Sequence, residues 1–268
     1  MTALRCLASA AIIAAVTSVA APGTALADDA KPIHPGVMTR SEAGQCTSNF
    51  IFKAGDKVLI GQAAHCTGTG EATETDGCTS KSLPLGTEVK IDGASKPGKL
   101  VYNSWLAMHE NGEKNKDVCA FNDFALVEIA DEDEGKVTST VPKFGGPTGL
   151  QDGPVGVGSM VYSYQNSSAR GGIAALSPKT GTVLGEGGNG WSHEVVTLTP
   201  GVPGDSGSGF MTADGKAFGL LSTLNLLPAP GSNGVVDLNK ALSYANDNRD
   251  DLEPIHLVEG GPFHAGLL

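Results

Sequence analysis

Gly201-Val-Pro-Gly-Asp-Ser-Gly-Ser-Gly209 sets one serine, Ser206, among glycines at 201, 204, 207 and 209. Glycine adopts positive φ and lets the backbone come close to a ligand. A serine on such a turn stands clear of the chain while neighbouring N–H groups point into the same space. Preformed donors aimed at the charge of a tetrahedral intermediate are what an oxyanion hole requires. A Gly/Ser hairpin loop without chemistry has the same composition, so the stretch carries a reaction only if partners for the serine exist elsewhere.

Two candidate partners lie upstream. An unactivated serine is a poor nucleophile and needs an adjacent base. Gly61-Gln-Ala-Ala-His-Cys66 ends an apolar run on His65, and histidine titrates near neutrality. Asn122-Asp-Phe-Ala-Leu-Val-Glu-Ile129 opens a strongly apolar strand on Asp123. A carboxylate at that edge is either a turn cap or a buried group with a dedicated partner. Accepting from the far imidazole nitrogen, it would fix the tautomer of the histidine and stabilise the imidazolium. Asp117 and Asp131 are competitors, but neither leads an apolar strand so directly.

The sequence around these segments is β-like. Glycine is abundant (37 residues), aromatics are sparse (5%), and short apolar runs are broken by Gly, Pro, Asn and Asp. Strands are expected at 49–53, 57–63, 87–91, 99–102 and 124–129, and, after a gap, at 160–164, 172–176, 181–184, 194–199, 209–211, 217–222 and 234–236. Strands this short must pair in sheets, and two groups of them suggest two packed barrels. A connector is expected over 131–153, where the acidic run Asp131-Glu-Asp-Glu134 reads as a solvated loop. Asp237–Asn248 reads as a helix, with Leu238, Ala241, Leu242 and Ala245 at 3–4 spacing behind an Asp237 cap. Pro254–Leu268 shows no pattern.

The start of the chain reads as an export signal over residues 1–27. Arg5 is followed by an apolar stretch from Cys6 to Ala21 and by the small-x-small site Ala25-Leu26-Ala27. No later stretch has the roughly 18 apolar residues of a membrane helix. Cleavage there leaves about 240 residues, enough for a real core. The net charge of −11 argues against nucleic acid as a partner, since phosphate binding needs clustered Lys and Arg. Cys46, Cys66, Cys78 and Cys119 remain after the leader, and an even count in an exported chain reads as disulfides. Four cysteines allow three pairings, of which the nearest-neighbour one, Cys46–Cys66 with Cys78–Cys119, is favoured. No Cys-x-x-Cys pair points to zinc. His34, His109, His193, His256 and His264 read as surface or loop residues without metal-like spacing.

Ala63-Ala64-His65-Cys66, Asp123-Phe-Ala-Leu126 and Gly204-Asp-Ser-Gly207 resemble the three signature segments of chymotrypsin-like serine proteases, in that family's order. The chain looks closest to the secreted bacterial branch. The resemblance implies two six-stranded antiparallel β-barrels: an N-terminal half over 28–135 with His65 and Asp123, and a C-terminal half over 136–268 with Ser206, followed by the helix. It implies a Ser206–His65–Asp123 triad with the N–H groups of Gly204 and Ser206 as oxyanion hole. The Cys46–Cys66 pair also resembles the family's bridge beside the histidine. A secreted, monomeric endopeptidase acting on polypeptide, without metal or cofactor, is the expectation. The alternative is a catalytically restricted or inactive binding protein on the same scaffold.

Two departures from the family pattern matter. In its animal members a new N-terminal amine ion-pairs with the acid before the serine. Asp28-Asp-Ala-Lys-Pro-Ile-His-Pro35 has no segment of that kind, which leaves Asp205 without such a partner. The specificity pocket implied by the resemblance has Pro200 at its base and Ser222, Thr223 and Leu224 on its wall. No acid stands at the base, and Leu224 replaces an expected glycine, so the pocket should take small apolar side chains, or an unusually restricted range of substrates, rather than Lys or Arg.

Overall fold

Apolar runs of four to six residues between turn-formers become strands, and each finds antiparallel neighbours. In a computed structural model, which describes residues 32–71, 75–225, 231–249 and 252–266, they form two sheets. The first is built from β1 (Met38–Ser41), β2 (Gly44–Thr47), β3 (Ile51–Ala54), β4 (Lys57–Gln62), β5 (Glu88–Ile91), β6 (Gly98–Asn103) and β7 (Ala125–Glu128). The second contains β8 (Met160–Tyr164), β9 (Pro178–Gly187), β10 (Ser192–Thr197), β11 (Gly209–Thr212), β12 (Ala217–Asn225) and β13 (Ser232–Asp237). A last strand, β14 (Ile255–Leu257), returns to the first sheet. The orders are β14-β3-β4-β7-β6-β5-β1-β2 and, closed into a barrel, β10-β13-β12-β11-β8-β9. The described residues lie in one compact unit.

Among the described residues, three α-helices decorate the sheets: α1 (Ser104–Asn111), α2 (Lys116–Phe121) and α3 (Leu238–Asp247). Asp237 caps α3, its side chain accepting from the Lys240 N–H at 2.9 Å, and Leu238, Ala241, Leu242 and Ala245 form the buried face. The expected helix is therefore present. Phe50, Phe52, Tyr102 and Phe124 are buried in the first half, and Val161, Val195, Phe210 and Phe218 in the second.

The register of the first sheet positions the chemistry. Gln62 pairs with Ala125 at the end of the β4–β7 ladder. Antiparallel strands bring the chain leaving β4 beside the chain entering β7. Ala63–Cys66 and Asp123 are thereby placed together, although 58 residues separate His65 from Asp123.

Several expectations are corrected. The strand expected over 172–176 is absent: Gly171 and Gly172 take φ of 62° and 78°, and Ala174–Leu176 closes as a 3-10 turn. The acidic run is not simply solvated. Asp133 is fully buried within a 3-10 turn over Asp131–Lys136. Its carboxylate accepts from the Ser95 N–H and hydroxyl, the Lys96 N–H and the Lys136 ammonium. The Lys136 ammonium leads these donors in holding the carboxyl well below its usual range. His193 is not a surface residue either: it is buried, with Nε2 3.1 Å from Asp237 Oδ2. The leader expected over 1–27 lies outside the described residues. Among the described residues, no helix is long and apolar enough to cross a membrane.

Candidate active site

His65 sits on a 3-10 turn, Ala64–Thr67, that continues directly from β4. The disulfide Cys46–Cys66 (Cα–Cα 5.9 Å) ties this turn to β2. The second bridge, Cys78–Cys119, fastens a loop to α2. Both pairs are the nearest-neighbour ones. Asp123, just before β7, accepts from the His65 backbone N–H through Oδ1 at 2.9 Å. Its Oδ2 lies 2.7 Å from His65 Nδ1 and accepts from the Ser222 hydroxyl at 2.5 Å. The carboxylate is almost fully buried, and the imidazole is 30% exposed.

The electrostatics of the pair are mutual. Burial pushes the Asp123 carboxyl up, but the charge and hydrogen bonds of His65, aided by Ser222, outweigh it and leave the carboxyl below its usual value. Burial pushes His65 down, and the Asp123 carboxylate more than reverses this, so the imidazole titrates above its ordinary 6.5. An ionised acceptor at Nδ1 holds the proton there. The Nε2 lone pair is then the one free to act as a base.

Ser206 lies in the same cleft. The cleft encloses about 650 Å³ and is lined by His65, Asp123 and Ser206, with Gln45, Gly204 and Leu224 among its walls. No hydrogen bond joins Ser206 Oγ to His65, as is common before a substrate binds. Gly204 (φ 96°) and Gly207 (φ 88°) turn the chain on either side of the serine. A Cβ on Gly207 would meet Thr47 O at 2.6 Å and Ala63 N at 2.8 Å, so only glycine lets this loop lie against β2 and the chain leaving β4. Among the described residues, neither the Gly204 nor the Ser206 N–H has an acceptor.

Asp205 has a partner that sequence reasoning missed. Its buried carboxylate pairs with Arg170, whose side chain is only 8% exposed, and accepts from the Val202 N–H at 2.8 Å. The loop carrying Arg170 also delivers Ser167, whose hydroxyl donates to Pro203 O. From the first sheet, Gln45 and Thr47 both donate to Gly204 O, at 2.9 and 2.8 Å. Lys179 is buried in the second barrel, with its ammonium on the Thr199 hydroxyl. Burial, aided by the charge of Arg170, pushes its pKa down to about 8.

The pocket residues divide. Ser222, Thr223 and Leu224 line the cleft. Pro200, expected at the base, does not: it is exposed and stands outside the lining. Gly201 is buried, and it too stands outside the lining. A Cβ there would meet Asn233 Oδ1 at 2.6 Å, Leu221 Cδ1 at 3.2 Å and Leu224 Cδ2 at 3.3 Å. Gly201 is thus closely packed, and among the described residues the buried Asn233 Oδ1 beside it has no hydrogen-bond donor. Among the described residues, two groups of His, Cys and Asp lie close enough to share a cation, and both depend on cysteines locked in the disulfides.

No protein-family model matches the chain, and no curated protein matches it in sequence. Solved structures do match. Protease A of Thermobifida fusca superposes with a TM-score of 0.51 at 18% identity, covering 85% of this chain and 99% of that one. A glutamic-acid-specific serine protease, described as using a histidine triad in substrate binding, gives a TM-score of 0.50 at 18% identity. That match covers 79% of this chain and 96% of the other.

Proposed function

We propose that this chain, which has the two-barrel fold of bacterial chymotrypsin-like serine proteases, is itself a secreted serine endopeptidase. The observation that carries the reading is the hydrogen-bonded His65–Asp123 pair lining the same cleft as Ser206. Ser206 Oγ attacks the scissile carbonyl as His65 Nε2 takes its proton. Asp123 steadies the imidazolium, and the Gly204 and Ser206 N–H groups take the oxyanion. His65 then protonates the leaving amine, and water resolves the acyl-enzyme by the same steps in reverse. The enzyme acts as a monomer on polypeptide and needs no cofactor. The leader over 1–27 directs its export.

Leu221 and Leu224, which line the cleft, favour small apolar side chains at the residue before the cleaved bond. A peptide-library profile dominated by Arg or Lys would sink this part of the reading. The reaction itself is tested with an organofluorophosphonate on the purified, leader-free protein. Labelling is expected at Ser206 and should vanish in His65→Ala. Leu224 on the cleft wall is also the observation favouring the alternative, an inactive binding protein on this scaffold. Folded protein that stays unlabelled at neutral pH would establish that alternative.

A further inference from the structure

We propose that Ser167 is a positioning residue that sets the orientation of the Pro203–Gly204 peptide and so assembles the oxyanion hole. The proposal rests on the serine-endopeptidase reading of the cleft. In a trans peptide the C=O and N–H point in opposite directions, and among the described residues only Gly146–Pro147 is cis. Whatever holds Pro203 O therefore aims the Gly204 N–H. The Ser167 hydroxyl donates to Pro203 O at 2.5 Å and is itself buried, 1% exposed. Among the described residues the Gly204 N–H has no acceptor.

The alternative peptide orientation is accessible to the loop in principle, because Gly204 sits at φ 96° where glycine has wide freedom. A flip would strand the Ser167 hydroxyl and turn Pro203 O toward the place the oxyanion must occupy. Leaving a buried donor unpaired is costly, which favours the orientation that keeps the Ser167 bond.

Ser167 is fixed independently. It accepts from the Ala169 N–H at 3.0 Å, the Ser168 N–H donates to Gln45 Oε1 at 2.9 Å, and Arg170 pairs with Asp205. On the other side of Gly204, the next carbonyl is held by Gln45 and Thr47. Both carbonyls flanking the Gly204 Cα are thus pinned. Among the described residues, the Ser167 hydroxyl is the donor that holds the carbonyl of the peptide bearing the Gly204 N–H.

The test compares wild type, Ser167→Ala and Ser167→Thr, with Ser206→Ala as the blank. For each, kcat and KM on a peptide anilide, the affinity of a peptide aldehyde and the unfolding temperature are measured. Complete removal of one oxyanion donor costs about 10²–10³ in kcat. Ser167→Ala should lose about 10- to 100-fold in kcat, with KM within about 3-fold, and aldehyde affinity should fall in parallel. Ser167→Thr should restore kcat to within about 3-fold, because it keeps the donor. Should the alanine variant not fold, Ser167→Cys keeps the shape with a weak donor and carries the same comparison. Wild-type kcat in a folded Ala or Cys variant, or a rise in KM alone, overturns the proposal. A crystal structure of Ser167→Ala gives a readout that needs no turnover. Pro203 O facing the cleft supports the proposal, and an unchanged peptide overturns it. A wild-type protein that neither turns over nor labels at Ser206 counts instead against the peptidase reading.

Discussion

Asp123 accepts twice from His65 and once from Ser222, and these bonds decide at what pH the imidazole can work as a base. Since Asp123 raises His65 above 6.5, the protonated, non-basic form persists to higher pH than for a free imidazole. Activity should therefore fall as pH drops through that raised value and level off above it. Asp123→Asn removes the raising charge while burial still pushes His65 down, so the limb of the pH–kcat/KM profile should move to lower pH. The rate plateau should drop about 10⁴-fold, the scale seen when a triad histidine loses its carboxylate. An unmoved limb would show that Asp123 does not face the base. The pocket gives a second residue-scale prediction. Leu224→Gly should raise kcat/KM for Phe over Ala before the cleaved bond by about 10-fold or more, since one methylene is worth about 1–3 kcal/mol; an unchanged ratio places the restriction elsewhere. That His65, Asp123 and Ser206 belong to one cleft was legible because each stands inside a local motif. The Ser222 hydroxyl on Asp123, Arg170 on Asp205 and Ser167 on Pro203 bridge 99, 35 and 36 residues. Contacts between distant segments leave no periodicity or spacing to find.

The 3-10 turn that carries His65 is braced by a neighbouring element. Asn103 caps α1, its side-chain oxygen accepting from the Trp105 N–H at 2.9 Å. The two N–H groups at the other end of the same amide are shared among Ala64 O, Thr67 Oγ1 and Ser82 Oγ, at 3.0, 2.9 and 3.1 Å. One buried side chain thus starts a helix and clamps the histidine turn. Asn103→Ala removes a cap worth about 0.5–2 kcal/mol and unpairs buried groups costing about 1–3 kcal/mol. Urea unfolding should show a loss of about 2–4 kcal/mol, with kcat reduced more than KM is raised. A loss under about 0.5 kcal/mol would mark the site as an ordinary surface position. Asn103 before the helix and Gly112 (φ 61°) after it are standard start and stop signals. They went unread because Ser104–Asn111 lacks a clean apolar stripe, whereas α3 has one. The strand wrongly expected over 172–176 failed for a different reason: a short apolar run reads as a strand, but the glycine pair at its start turns the chain.

At the scale of the whole molecule, the two sheets were legible as two groups of strands, while the strap joining them was not. Pro254–Leu268 carries no pattern because its contacts are divided between the halves. Ile255–Leu257 pairs with Phe52–Ala54 in the first sheet, and Ile255 is 4% exposed. A few residues on, the Phe263 ring meets Tyr162 of the second barrel at 5.3 Å, and the Gly146 N–H donates to Gly261 O at 2.9 Å. The tail therefore fastens the end of the chain to both sheets without entering the cleft. Burial of Ile255 contributes about 1.5–3 kcal/mol and the aromatic pair about 0.5–1.5 kcal/mol. Truncation after Asn248 should thus cost about 3 kcal/mol, which in a domain of this size lowers the unfolding temperature by about 6–12 °C. Labelling of Ser206 in the cold should survive the truncation, because the cleft is lined by other segments. Phe263→Ala, which leaves β14 paired, should show only a fraction of the shift. A truncated chain that melts with the full-length protein would mean that the halves are joined elsewhere.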